Sequence, residues 1–184
     1  MKKITIIFIV AVLLLTTGGF YYYYSIINFK GKEQIQILED PNIKSFKQVL
    51  ELEELKRKVV YIDVWGTLCG PCIKEFNFSS DLKNRFINEP VAFLYLASPY
   101  GRPDDNFRWK KMIQEKKLNG IHMLLTIEAY DDIWETLKDS INTLYQIPHY
   151  MIIGKNGKIL IANANRPSSK EKLYAQIEDV LKNY

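Results

Sequence analysis

The run Val59-Val60-Tyr61-Ile62-Asp63-Val64-Trp65-Gly66-Thr67-Leu68-Cys69-Gly70-Pro71-Cys72 constrains this chain more than any other stretch. It holds the only two cysteines, three apart, where an apolar strand pattern gives way to a helical one. On a helix, residues at i and i+3 have Cβ atoms roughly 5–6 Å apart. A disulfide needs roughly 3.5–4.5 Å, so a small local movement switches the pair between dithiol and disulfide. Unpaired N–H groups and the positive dipole end at a helix start stabilise a thiolate. That predicts a lowered pKa for Cys69 and makes it the attacking nucleophile. Pro71 suits the first helical turn, where no backbone donor is needed. A structural zinc site wants four ligands. Only His122 and His149 could complete one, at spacings that match no common pattern. A purely structural disulfide across so short a loop would confine the unfolded chain little. Redox chemistry is the expectation, with no metal.

Lys2 and Lys3 precede a stretch from Ile4 to Phe29 that contains no charged residue. At ~1.5 Å per residue it is long enough to cross a hydrocarbon core of ~30 Å. Tyr21, Tyr22, Tyr23 and Tyr24 lie at its far end, as expected of rings at a membrane interface. The lysines on the near side place the N-terminus in the cytoplasm and the rest outside. A cleaved signal peptide is the competing reading, with Thr17-Gly18-Gly19 before the cut. That cut would leave Phe20 and four tyrosines as an apolar mature terminus, so an uncleaved anchor is favoured. On either reading the cysteine pair is exported, to a compartment where disulfide chemistry is at home.

About 150 residues remain behind the anchor, enough for one domain with a sizeable core. The net charge of +4 comes from lysines interspersed with acids. No concentrated basic patch or reading motif marks a nucleic-acid binder. Lys30 to Asp40 reads as a tether. Ser45 and Gln48 form a capping signature ahead of Val49, Leu50, Leu52 and Leu55. Val59–Trp65 and Val91–Ala97 read as buried strands, with helical signals between them as far as about Asn88. A helix over about 104–117 and a short strand over 121–126 follow. Ile133, Trp134, Leu137, Ile141, Leu144 and Tyr145 then keep a 3.6-residue period. Asn156-Gly157 predicts a two-residue hairpin between Tyr150–Ile153 and Ile159–Ile161. Ser168 and Glu171 predict a capping box for a last helix that buries Leu173, Ile177, Val180 and Leu181. Strands alternating with helices, then a hairpin, imply an α/β fold: a mixed sheet with helices on both faces.

Three more residues carry chemistry. Asp63 sits mid-strand among apolar neighbours, where a charged unpaired carboxylate is costly and its pKa should rise. Such a group could move the proton when the second thiol attacks a mixed disulfide. An aspartate that merely reaches solvent at the strand end is the plainer reading. Glu75, one turn after Cys72, either faces the same site or serves the helix dipole. Pro148 opens a strand after Ile147, a position where a cis proline can present backbone groups to a peptide.

Together, Val60-Tyr61-Ile62-Asp63-Val64-Trp65-Gly66-Thr67-Leu68-Cys69-Gly70-Pro71-Cys72-Ile73-Lys74-Glu75 resembles the active-site segment of the TlpA-like thiol–disulfide oxidoreductases, a membrane-anchored or periplasmic branch of the thioredoxin fold. Ile147-Pro148-His149-Tyr150-Met151-Ile152-Ile153-Gly154-Lys155-Asn156-Gly157-Lys158-Ile159 is similar to that family's cis-proline strand and hairpin, and Asn163-Ala164-Asn165-Arg166-Pro167-Ser168 to the tail before its last helix. The likeness runs over about 44–184 and implies a thioredoxin-like domain there, behind an anchor over 1–30 and a tether over 31–43. It implies Cys69 as nucleophile, Cys72 as resolving cysteine, and Asp63 as the buried proton-handling acid. It also implies Glu75 as an active-site glutamate, with Ile147, Pro148 and Trp65 as substrate contacts. Residues 107–141 are similar to the family's helix-and-strand insertion. Leu68 stands where the family usually has a tryptophan or other bulky group, and His149 replaces a common threonine.

The function these readings imply is a membrane-tethered thiol–disulfide oxidoreductase acting as a reductant of exported proteins. It would act as a monomer, with no cofactor of its own, and a membrane or periplasmic thiol donor would regenerate it. The apocytochrome c maturation route is one setting compatible with the family. A thiol peroxidase of the same fold lacks support, because Trp65-Gly66-Thr67-Leu68-Cys69 has no proline of the peroxidatic setting. A copper-delivery module would need a histidine or methionine beside the cysteines, and only His149 offers itself.

Overall fold

The computed structural model describes residues 2–32, 34–142 and 145–184. Helix α1 (Lys2–Ile27) is followed by β1 (Ile35–Leu38), α2 (Phe46–Leu50) and β2 (Val59–Trp65). Then come α3 (Gly70–Glu75), a 3₁₀ turn over Phe76–Phe78, α4 (Ser79–Arg85), β3 (Val91–Ala97) and α5 (Asp105–Glu115). The chain ends with β4 (Gly120–Leu124), α6 (Ile127–Leu137), β5 (His149–Ile153), β6 (Ile159–Ile161) and α7 (Glu171–Asn183).

The six strands form one mixed sheet in the order β1-β4-β3-β2-β5-β6. The first four are parallel, while β5 runs antiparallel to both β2 and β6. Strand β2 is central and every residue in it is buried. Because side chains alternate between faces, Val60, Ile62 and Val64 join the core under α2 and α6, with Val49, Ile133, Trp134 and Leu137. Val59 and Tyr61 meet Leu82 of α4, Phe86 just after it, and Leu173 and Ile177 of α7 on the other face. Trp65 continues that second face into a third cluster with Cys69, Cys72, Phe76, Trp109 and Ile113. The expected α/β architecture, helices on both faces of a mixed sheet, is the one observed.

Some local expectations are corrected. The segment read as a tether contains β1, whose Ile35 and Ile37 pack on the third cluster while the strand pairs with β4. The helix carrying Ile133 and Trp134 ends at Leu137, so Ile141 packs on the core from outside it and Tyr145 is largely exposed. Leu144 lies outside the described residues. The β5–β6 connection is longer than a two-residue hairpin. Gly154 donates its N–H to Lys158, and Asn156 Oδ1 accepts from Lys158 N. Ser45 does cap α2, with the reciprocal Gln48 bond of a capping box. Ser168 does not cap α7: it sits in a 3₁₀ turn over Pro167–Ser169, and its hydroxyl goes elsewhere.

Helix α1 is apolar over Ile6–Ile27, with large side chains exposed along it, and is long enough to cross a membrane. Its C-terminal end is not free. The Gln114 side chain of α5 donates to the carbonyls of Ser25 (3.1 Å) and Ile26 (2.7 Å). These are among the last carbonyls of the helix, which lack intrahelical partners. Tyr23 stacks on Phe107 with ring centroids 5.6 Å apart, and Phe29 packs on the third cluster.

Candidate active site

Cys69 is the N-cap of α3, and Cys72 lies in its first turn. The two are joined as a disulfide with Cα atoms 5.3 Å apart. The Cys72 N–H donates to Cys69 Sγ at 3.2 Å. In the dithiol state that same donor would stabilise a thiolate on Cys69. Cys69 keeps 9% of its surface and Cys72 none, so of the two only the first is open to solvent.

In β2, two residues before Trp65, Asp63 is 2% exposed, and its Oδ1 has no hydrogen-bond partner among the described residues. Burial drives its pKa well above the usual carboxylate range; Lys83 opposes this and Glu75 adds to it. Lys83 comes from α4, with its ammonium 4.7 Å from the Tyr95 ring centroid. Burial pushes that lysine down to about 7, against the pull of Asp63. Sequence reading missed Lys83, although a signal existed. Ser79, Leu82, Lys83 and Phe86 fall at helical spacing on one stripe, and a lysine among apolar positions there needs a reason.

Glu75 is 7% exposed, and its carboxylate accepts from Ser168 N at 2.9 Å and Ser168 Oγ at 3.0 Å. Arg166 stands 3.8 Å away. Pro148 follows a cis peptide bond, directly ahead of β5. Ile147 packs on the cluster that holds both cysteines. His149 is satisfied by a 2.8 Å contact from Nε2 to the Ala162 carbonyl, and burial lowers its pKa. His122 likewise bonds the Leu118 carbonyl at 2.7 Å and is pushed to about 3 by burial. No group of three or more His, Cys, Asp or Glu arranged to hold a metal occurs among the described residues.

Trp65, expected as a substrate contact, lies in the cluster that holds both cysteines. Its ring is fully buried and meets Phe76 edge-on at 5.1 Å, because β2 is covered on both faces up to its last residue. Leu68 and Tyr100 are exposed, and the Tyr100 hydroxyl lies beside Gly66 and the Leu68 backbone. Tyr100 comes from the β3–α5 loop, which the sequence marks only as turn-rich.

This sheet, with a Cys-x-x-Cys disulfide at a helix start and a cis-proline loop, defines a dithiol protein of the thioredoxin class. The Redoxin family model matches residues 30–177, and the chain belongs to that family. The thiol-disulfide oxidoreductase ResA of Bacillus subtilis is 36% identical over 74 residues, covering 36% of this chain and 39% of that protein. The chain thus spans about two fifths of that relative's length. The crystal structure of the thioredoxin domain of a thiol-disulfide oxidoreductase from Bacteroides vulgatus superposes with a TM-score of 0.52 at 26% identity, over 71% of this chain and 84% of that one. A thiol:disulfide interchange protein from a Bacteroides species shares the fold, with a TM-score of 0.56 at 24% identity over 72% and 78%.

Proposed function

We propose that this protein is a thiol–disulfide oxidoreductase that reduces disulfides in exported proteins through a Cys69/Cys72 cycle. The observation that carries it is the asymmetric pair: Cys69 keeps a little surface on a helix N-cap and Cys72 is enclosed, while β2 carries a buried acid whose Oδ1 has no partner among the described residues. The Cys69 thiolate attacks one sulfur of a partner disulfide held along Ile147 and Pro148. The partner's other sulfur leaves as a thiolate and takes a proton. With Asp63 in its carboxylate form, Cys72 passes it a proton and attacks Cys69 Sγ. This breaks the mixed disulfide and expels the partner's remaining sulfur as a thiolate that takes a proton in turn. The partner has gained two electrons and two protons, and Cys69–Cys72 is oxidised. An external dithiol must return those electrons.

The Gly70-Pro71 spacer adds no cation near the sulfurs, and the Glu75 carboxylate is held by Ser168. Strong thiolate stabilisation, which makes a disulfide oxidising, is therefore not built in. Helix α1 serves as the anchor in this reading, with its lysine-bearing end in the cytoplasm and the thioredoxin-like domain on the opposite side.

Trapping tests the reading directly. The Cys72→Ser full-length protein should hold exported proteins as mixed disulfides on Cys69, and Cys69→Ser should hold none. Trapping by Cys69→Ser alone would reverse the assignment of roles.

A further inference from the structure

The loop between β3 and α5 is built around one buried acid. Asp105 is 8% exposed, and its Oδ2 accepts from Tyr100 N at 2.8 Å and from Arg102 N at 3.0 Å. At the start of the loop, Ser98 N donates to the Trp65 carbonyl at 2.7 Å, tying it to the end of β2. These bonds fix a short segment that would otherwise be free to move, and they aim one side chain across the site.

That side chain is Tyr100. A methyl group on Gly66 would come within 2.2 Å of the Tyr100 hydroxyl and 3.1 Å of Ile147 Cδ1. The phenol therefore lies over the turn between Trp65 and the cysteines and beside the Ile147–Pro148 loop. The Leu68 backbone N–H also faces the hydroxyl. The ring is not sealed in: it is 36% exposed, next to Leu68 at 50%. The Arg102 guanidinium stands 5.8 Å from its centroid.

We propose that Tyr100 is a specificity-determining residue, held beside Leu68 and Ile147, which offers an aromatic contact to polypeptide disulfides with an apolar residue beside the attacked cysteine. This rests on the oxidoreductase reading above. Leu68, Tyr100 and Ile147 form an apolar surround, and an extended chain passing Cys69 must touch it. A small disulfide reaches the sulfur without doing so. Aromatic side chains give large contact area at low entropic cost, and buried aromatics dominate binding energy. The hydroxyl has its own part, since it is the atom that reaches Gly66 and Leu68.

The test uses full-length protein in nanodiscs, as wild type, Tyr100→Ala and Tyr100→Phe. Single-turnover rates are measured on a disulfide-linked peptide with leucine beside cysteine and on oxidised glutathione, together with the Cys69 pKa. Tyr100→Ala should slow the peptide reaction about 10-fold, while glutathione disulfide changes less than about 2-fold. The Cys69 pKa should not move. Tyr100→Phe should fall between wild type and alanine on the peptide, and it carries the test if the alanine variant unfolds. Equal losses on both disulfides, or no loss on the peptide, would overturn the proposal. A wild type inactive on both probes overturns the oxidoreductase reading itself, and this inference with it.

Discussion

The Glu75 carboxylate grips Ser168 with both oxygens, one on its backbone N–H and one on its hydroxyl, across 93 positions of sequence. This ties the end of the cysteine-bearing helix α3 to the turn that launches α7, and it uses the glutamate's acceptors away from the sulfurs.

Ser168→Ala should therefore lower stability by about 1–3 kcal/mol, the range for a hydrogen bond to a charged group whose loss leaves a buried acceptor short of a donor. Urea unfolding of the oxidised protein measures it. The Cys69–Cys72 potential should stay within experimental error, and a large change in potential would return Glu75 to the chemistry.

Asp63→Asn should slow resolution of the mixed disulfide more than the first attack, because the amide cannot take the Cys72 proton. Stopped-flow kinetics on a model disulfide separate the two steps. The substitution also has a stability signature. The folded pKa of Asp63 is raised above its ordinary 3.8. The native state thus keeps a proton that the unfolded chain has lost, and stability falls as pH rises from about 4 through the folded pKa. Asp63→Asn should remove that fall.

Lys83 works in the opposite sense. Its folded pKa is about 7 against an ordinary 10.5. Between those values the unfolded chain binds the extra proton, so stability rises with pH across that window. Lys83→Met should abolish the rise. It should also move the titration of Asp63 further upward, since the cation opposing burial there is lost. The pH profile of the resolution step reads this, and an unmoved profile would separate Lys83 from the site.

Gly66→Ala should be costly out of proportion to one methyl. The new Cβ meets the Tyr100 hydroxyl, so the phenol or the turn must shift, at about 1–3 kcal/mol for an overpacked site. Gly66→Ala with Tyr100→Phe should recover part of the loss in thermal melting. No recovery would place the clash with the Tyr100 ring or Ile147, whose nearest carbons each lie 3.1 Å from the new methyl, and not with the hydroxyl.

The cysteines, their strand and their helix were legible because each signal is local. A proline in the first turn, an apolar run and a spacing of three are all read within fifteen residues. What stayed hidden depends on distance along the chain. Ser168 has the local look of a helix cap, yet its hydroxyl is taken by Glu75. Ile35 and Ile37 look too few to make a strand, and β1 forms because β4 supplies the ladder. Trp65 looks like a site residue by its nearness to Cys69, but the period of the strand turns it inward. Lys83 and Tyr100 reach the site from elements that carry no motif.

The joint between α1 and α5 sets how this protein can search. Gln114 holds the last carbonyls of the apolar helix, and Tyr23 stacks on Phe107, so helix and domain are in direct contact. With α1 in a bilayer, the domain cannot swing out on a leash of extended chain. Its sulfur would sweep a thin layer close to the lipid surface and move chiefly by lateral diffusion. Encounter then becomes a two-dimensional problem, governed by how many partners share or graze the same membrane area and not by their bulk concentration.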